Sequence, residues 1–141
     1  MKYICILGFA NKETADRTLQ QFEMTARGDA KVLILDNHYP LNPPDWKAWA
    51  KRLKGEYLDA GRNLGLHNGL NWMLRAVGAW SGDQMIGYDP DTCPLTEAWD
   101  VALFAALQLP NVGWASLGNR LSESEMEARG YTETKELGMN I

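Results

Sequence analysis

Two apolar segments in the first quarter of the chain constrain the fold most strongly. The first reads KYICILGF (residues 2–9) and the second reads KVLILD (residues 31–36). Continuous apolar runs of this length, rich in β-branched residues, are typical of strands that are buried on both faces of a sheet. Between them, residues 10–28 carry apolar side chains at helical spacing, which predicts a helix that connects the two strands.

Strand-like and helix-like segments continue to alternate along the chain. This pattern predicts right-handed crossovers and a mainly parallel sheet, and therefore an α/β fold with three layers, α/β/α. The 141 residues suffice for one domain, predicted over residues 1–141. The further helix candidates are DWKAWAKRL (45–53), RNLGLHNGLNWMLRAV (62–77) and PLTEAWDVALFAALQLP (94–110), and the further strand candidates are GEYLDA (55–60), DQMIGY (83–88) and NVGWASLG (111–118).

Charge and hydropathy exclude two classes of partner. The formal net charge is −4 and there is no block of lysine or arginine, which argues against binding of nucleic acid by bulk electrostatics. No apolar run approaches the roughly 20 residues that span a bilayer, and the first residues lack the features of a signal peptide. We therefore expect a cytoplasmic protein without a membrane span.

Few residues are available for soft-metal or thiol chemistry. Cys5 and Cys93 have no CxxC spacing, and we expect both to be buried free thiols in a reducing compartment. His38 and His67 are the two histidines of the sequence. A bound metal is therefore expected to be a hard cation with oxygen ligands.

Polar residues follow three of the predicted strands. Ligands of parallel α/β sheets bind beyond the carboxyl ends of the strands. This rule brings together residues 9–11, 36–38 and 89–91, and both of the last two segments contain aspartate. The sequence therefore predicts a ligand site at that edge of the sheet.

The segment Asp89-Pro90-Asp91 is the strongest single feature of this edge. Pro90 biases Asp89 toward extended geometry, and alternate residues of an extended segment face the same way. Both carboxylates can then bind one Mn²⁺ or Mg²⁺ ion on a diphosphate. The alternative is a turn in which one aspartate caps the following helix, because DPDT is also typical turn chemistry.

Two other segments offer weaker signals. Asp36, and similarly Asn37, can accept a hydrogen bond from a nucleobase imide, although polar residues commonly begin a loop after any strand. In RNLGLHNGLN, a helix N-terminus beside Arg62 favours anions; the alternative is a capped helix whose glycines lie at tight crossings. The tryptophans at helical spacing, Trp46, Trp49 and Trp99, are expected in the core rather than in sugar stacking.

Taken in order, four segments resemble the nucleotide-binding half of glycosyltransferases with the GT-A fold, specifically the large family-2-like group. The resemblance covers about Tyr3 to Leu107, and its helix motif is matched by Asn63, Gly65, Gly69 and Asn71. The segments that carry it are GFANKETADRTLQQF, VLILDN, RNLGLHNGLNWML and MIGYDPDTCP.

The resemblance implies a GT-A type sheet and transfer of a sugar from a nucleoside-diphosphate sugar, with UDP favoured, to an unknown hydroxyl acceptor. It implies that Asp89 and Asp91 form a DxD motif that binds Mn²⁺ or Mg²⁺. The resemblance does not identify which residue would be the catalytic base. No histidine follows Asp91 in the sequence. The implied nucleotide-sugar-binding residues are Phe9, Asn11, Asp36, Asn37, Arg62, Asn63 and Asp89.

The segment after Asp91 is shorter than the acceptor-binding half of the family. We therefore expect a homo-oligomer in which the polar residues 122–141 of one copy or its neighbour close the donor cleft. The alternative function is a non-catalytic nucleotide or nucleotide-sugar binding module, or one half of an assembly whose partner completes the acceptor site.

Overall fold

A computed structural model describes residues 1–112 and the strand residues 116–117 and 139–140. A four-stranded sheet, with every pair of neighbours parallel, has the strand order β3-β2-β1-β4. Its strands are β1 (Lys2–Gly8), β2 (Lys31–Asp36), β3 (Glu56–Asp59) and β4 (Gln84–Tyr88). The helices are α1 (Lys12–Thr25), α2 (Trp46–Arg52), α3 (Leu66–Ala76) and α4 (Trp99–Ala106). The predicted α/β class with a parallel sheet is confirmed.

The chain divides into two compact units, Met1–Val101 and Ala102–Ile141. The first unit contains the four-stranded sheet. The second contains a short antiparallel pair, β5 (Ser116–Leu117) with β6 (Met139–Asn140), so the last predicted strand is present over two residues of NVGWASLG. The prediction of one domain over residues 1–141 stays a prediction, and the predicted role of residues 122–141 falls outside the described residues except for β6.

Strand register assigns each core side chain to one face of the sheet. Ile6 is aligned with Ile34 on one side and with Tyr88 on the other. Because side chains alternate along a strand, these three face the same way. The opposite face carries a buried cluster to which α3 contributes Met73, and the strand residues of this cluster are Tyr3, Cys5, Leu7, Leu33 and Leu35.

Helices α1 and α2 cover the face that carries Tyr88. The ring of Phe22 in α1 meets the ring of Tyr88 edge to face, with centroids 5.1 Å apart. In α2, the indole of Trp46 lies against Gly8, where an added Cβ would be 2.9 Å from the indole. With α3 on the opposite face, the arrangement is compatible with a three-layer α/β/α sandwich.

The predicted burial of the tryptophans is confirmed: Trp46, Trp49 and Trp99 are 2%, 7% and 2% exposed. The prediction for the cysteines is half wrong. Cys5 is buried in β1 within the cluster that contains Met73 of α3, whereas Cys93 is exposed. The physical reason is that Cys93 lies beyond the end of β4, in the segment that leads to α4 rather than inside an element.

The fourth helix begins later than predicted. Pro94 and Leu95 were expected in its first turn, but α4 starts at Trp99 and Leu95 is 65% exposed. Ala98 adopts a left-handed φ of 56°, which interrupts a right-handed helix, and its N–H donates to the carbonyl of Thr25. None of the helices in the described part of the chain is long and apolar enough to cross a membrane.

Candidate functional site

Four strand ends form one edge of the parallel sheet. Gly8 at the end of β1 is aligned with Asp36 at the end of β2, and Asp36 is aligned with Asp59 at the end of β3. On the other side of β1, Tyr88 ends β4 at the level of Ile6. Neighbouring strands lie about 4.8 Å apart. The segments predicted to form the site therefore leave the sheet at adjacent positions along this edge.

The segment after β4 forms a turn, so the prediction of extended geometry from Asp89 to Asp91 is wrong. The N–H of Thr92 donates to the carbonyl oxygen of Asp89 at 2.9 Å, which is the bond that closes a four-residue turn. Aspartate is favoured at the first position of such a turn and proline at the second, so Asp89 and Pro90 suit the turn, and Pro90 and Asp91 form its central residues.

Two hydroxyl groups from the core hold the backbone of this turn in place. The hydroxyl of Tyr88 donates to the carbonyl oxygen of Thr92 at 2.6 Å. The hydroxyl of Thr18, from α1, donates to the carbonyl oxygen of Pro90. Pro90 is buried, whereas Asp89 and Asp91 are both exposed. The anchored turn therefore presents two carboxylates to solvent from a fixed backbone.

Burial and the neighbouring charge of Asp91 both act on the carboxylate of Asp89. Partial burial, followed by the charge of Asp91, raises the pKa of Asp89 above its ordinary value. Both causes disfavour the ionised carboxylate. A hard divalent cation would relieve the repulsion, and Mg²⁺ commonly uses one or two carboxylates with water and phosphate as further ligands. The donor set of this turn therefore fits such an ion.

Phe9 and Asn11 occupy the connection from β1 to α1. Phe9 is 43% exposed, and its ring meets that of Tyr39 edge to face with centroids 4.9 Å apart. Asn11 is the N-cap of α1, where its side-chain oxygen accepts from the N–H of Thr14 at 2.9 Å. Phe9 therefore offers an exposed aromatic surface, and the oxygen of Asn11 serves the helix.

The side chains of Asn37 and Asn63 are engaged by backbone groups. Asn37 is 2% exposed, and its side-chain oxygen accepts from the N–H of Leu64 at 2.8 Å. This bond joins the end of β2 to the segment that precedes α3. It uses the side-chain oxygen of Asn37 that was predicted to accept a hydrogen bond from a nucleobase. Asn63 is exposed and accepts from the N–H of Gly65 at 2.8 Å. Arg62 is exposed.

The glycines of the α3 segment have two distinct structural roles. Gly65 is the N-cap of α3 and has a left-handed φ of 73°. No side chain of the described residues forms a capping hydrogen bond at this helix end. Gly69 lies at a tight crossing, because a Cβ there would be 2.6 Å from Cδ1 of Leu7. The expectation of a close helix–sheet approach is confirmed at Gly69.

A cluster that the sequence did not predict lies where β2 and β3 end. Asp36, His38 and Asp59 each offer a ligand atom within 4.8 Å of the other two. Nε2 of His38 lies 2.7 Å from Oδ1 of Asp59, which also accepts from the N–H of Gly61 at 2.7 Å. The other carboxylate, Asp36, accepts from the backbone N–H of His38 at 3.0 Å.

Hydrogen bonding and charge shift the pKa values within this cluster. The hydrogen bond to Asp59 and the negative charges of both aspartates raise the pKa of His38, and the same bond lowers the pKa of Asp59. Tyr57 donates to Asp36 at 3.3 Å. Burial and the two carboxylates raise the pKa of Tyr57 to about 12, so this hydroxyl stays protonated and remains a donor.

The sequence contained a partial signal for this cluster. The second strand ends in the D of DNH, and the segment 36–38 was expected at the site, but the sequence assigned no role to His38. Asp59 ends a short strand that the sequence supports weakly, and it becomes a neighbour of His38 because β3 pairs with β2.

Comparisons with known proteins add no family to these observations. No protein-family model matches the sequence, and no curated protein matches it either.

Proposed function

We propose that this chain binds a nucleoside-diphosphate sugar together with Mn²⁺ or Mg²⁺ and transfers the sugar to a hydroxyl acceptor. The single observation that carries the proposal is the anchored turn after β4, which presents Asp89 and Asp91 at the sheet edge. This edge is where parallel α/β sheets bind ligands. The order of motifs that resembles GT-A glycosyltransferases supports the same function.

The end of β1 lies next to the turn after β4, and the end of β2 lies on the far side of β1. Both strand ends would supply contacts for the nucleoside. Phe9 exposes an aromatic ring on which a base can stack. The carboxylate of Asp36 is partly exposed and can accept a hydrogen bond from a base imide. A ligand that extends across β1 would contact Asp36 with its base and Asp91 with the ion on its diphosphate.

The bound ion would neutralise negative charge on the leaving diphosphate. Asp89 and Asp91 would hold the ion, and the bonds from Tyr88 and Thr18 would keep the turn in place as charge moves. Under this proposal the acceptor hydroxyl loses its proton to a base, for which we assign no residue.

Calorimetry with UDP, in Mn²⁺ and in chelator, tests donor binding. We expect the wild type to bind UDP more tightly with Mn²⁺, and Asp91→Asn to remove most of that gain because it deletes one ligand charge. Asp29→Asn is the matched control, since Asp29 is an exposed aspartate outside the site, and it should bind as the wild type does. Equal UDP affinity with and without Mn²⁺ in the wild type would sink the metal-dependent proposal.

A second measurement separates an enzyme from a binding module. The protein is incubated with Mn²⁺ and a panel of UDP-, GDP- and dTDP-sugars, and released nucleoside diphosphate is quantified. Sugar transfer, or its hydrolytic side reaction, is supported if nucleoside diphosphate is released from one donor. That release should fall in Asp91→Asn and stay at the wild-type level in Asp29→Asn. Tight Mn²⁺-dependent binding with no release from any donor would refute the enzymatic part and leave the binding module.

A further inference from the structure

We propose that Asp36, His38 and Asp59 form a second cation site, at the ends of β2 and β3, for a transition-metal ion such as Zn²⁺. The three residues come from two neighbouring strand ends and the loop between β2 and α2. None of the three belongs to the anchored turn that carries Asp89 and Asp91. The site is therefore separate from the cation site of the proposed function.

The distances suit a small ion without rearrangement of the backbone. The three ligand atoms lie within 4.8 Å of one another, and the closest pair, His38 Nε2 and Asp59 Oδ1, is 2.7 Å apart. Tetrahedral zinc with bonds of about 2.0–2.2 Å keeps its ligand atoms roughly 3.3 Å apart. This spacing is longer than the 2.7 Å between His38 and Asp59 and lies inside the 4.8 Å limit for the three atoms. His38 and Asp59 are exposed, so their side chains can rotate toward it.

The imidazole distinguishes this cluster from an ordinary acidic patch. Mg²⁺ and Ca²⁺ take oxygen ligands, whereas imidazole nitrogen is a favoured ligand of Zn²⁺, Ni²⁺, Cu²⁺ and Fe²⁺. One nitrogen and two carboxylate oxygens would supply three protein ligands, which leaves a fourth position to water or to a ligand.

Neighbouring groups already orient the ligand side chains. Asp36 accepts from the N–H of His38 through Oδ1 and from the hydroxyl of Tyr57 through Oδ2. Asp59 accepts from the N–H of Gly61. Hydrogen bonds of this kind fix the direction of metal-ligating carboxylates. His38 also adopts a left-handed φ of 56°, a conformation that a residue with a side chain adopts at an energetic cost.

The proposed zinc site shares one residue with the proposed nucleobase contact. Asp36 is a ligand here and contacts the nucleobase in the proposed function, so a bound Zn²⁺ ion would compete with the base. The inference itself does not depend on the proposed function, because an ion can bind this cluster whether or not a nucleotide binds the edge.

Calorimetric titration of ZnCl₂ into the full chain, after removal of metal with a chelator, tests the site. All proteins carry Cys93→Ser, because the exposed thiol of Cys93 could bind zinc itself. We expect one equivalent to bind, and His38→Ala to weaken binding by about tenfold or more, as for loss of a ligand or its support. His67→Ala is the matched control, because His67 is also exposed and lies outside the cluster.

Nitrogen-15 NMR of the imidazole rings gives a readout that does not require a variant to fold. Zn²⁺ should shift the ring resonances of His38 and leave those of His67 unchanged, and Mg²⁺ at the same concentration should shift neither. Equal zinc affinity of the wild type and a folded His38→Ala variant would overturn the proposal. So would zinc-dependent shifts at His67 alone, or the absence of zinc binding. If the wild type bound zinc at this cluster but did not bind UDP in the presence of Mn²⁺, the proposed function would be refuted and the zinc site would stand.

Discussion

The hydrogen bond between Trp49 and Asp16 gives a stability prediction with a defined pH dependence. The indole N–H of Trp49 donates to Oδ1 of Asp16 at 2.7 Å, and Lys12 donates to Oδ2. Because Trp49 is 7% exposed, Asp16→Ala would leave its N–H without this acceptor. We expect a loss of about 1–3 kcal/mol in the free energy of unfolding.

Asp16→Asn separates the charge from the hydrogen-bond acceptor. The amide oxygen can still accept from Trp49, but a bond to a neutral acceptor contributes about 1 kcal/mol less than one to a charged acceptor. Burial acts to raise the pKa of Asp16, and the hydrogen bonds from Lys12 and Trp49 outweigh it and lower this pKa below 3.8. The contribution of the charge is therefore present above pH 3.8 and is lost as pH falls through the lower pKa of the folded state.

Urea unfolding followed by tryptophan fluorescence measures these differences. The wild type, Asp16→Asn and Asp16→Ala are compared at neutral pH and at several values below 3.8. The stability difference between the wild type and Asp16→Asn should shrink on acidification, whereas the difference between Asp16→Asn and Asp16→Ala should persist. A difference between wild type and Asp16→Asn that stays constant over this range would refute the reasoning.

Two further predictions concern the core. Gly8→Ala should lower the free energy of unfolding by about 3 kcal/mol, the upper end for overpacking, since its Cβ would lie 2.5 Å from the carbonyl oxygen of Leu35. Gly61 has a φ of 74°, and among the described residues no atom outside its chain neighbours lies within 4 Å of an added Cβ. Gly61→Ala should therefore cost only about 1–2 kcal/mol of left-handed strain, and equal losses of stability in the two variants under urea would contradict the predicted clash at Gly8. In a thiol assay at mildly alkaline pH, the exposed thiol of Cys93 should react in the folded protein. Burial raises the pKa of Cys5 to about 12, so Cys5 should react only after denaturation. Equal reaction rates of the two thiols in the folded protein would contradict this.

The elements of the first unit could be predicted because their signals are local. β1 and β2 are continuous apolar runs, and the structure buries nearly all of their side chains. The helices α1 and α2 are preceded by Asn11 and Asp45, whose side chains cap them, as asparagine and aspartate commonly do. Parallel pairing then follows from the alternation of strands and helices.

The errors fall where a local preference competes with a distant contact. Asp89 to Thr92 close a turn that Tyr88 in β4 and Thr18 in α1 hold in place. Tyr88 directly precedes the turn, but Thr18 lies 72 residues away from Pro90 in sequence. The start of α4 depends similarly on Asp100, whose carboxylate accepts from the backbone N–H groups of Arg27 and Gly28 at 3.0 and 2.7 Å. Apolar periodicity carries no information about such a bond.

The site could be predicted at the level of strand ends but not of side-chain contacts. The rule for parallel sheets brought together the strand-end segments that the structure also places along one edge, including residues 36–38. The contact of His38 with Asp59 requires that β3 pair with β2 and that His38 adopt a left-handed φ. Neither condition can be read from single residues, so the cluster emerged only with the tertiary structure.

The anchored turn after β4 has a thermodynamic consequence for any ligand that contacts it. Fixing the backbone of one residue costs about 1–2 kcal/mol of conformational entropy. Four residues, Asp89 to Thr92, are held by the turn bond and by the hydroxyls of Thr18 and Tyr88. Roughly 4–8 kcal/mol of ordering cost is therefore met during folding rather than during binding. A ligand of Asp89 and Asp91 meets a backbone that is already ordered, so its affinity is not reduced by a backbone ordering cost at these residues.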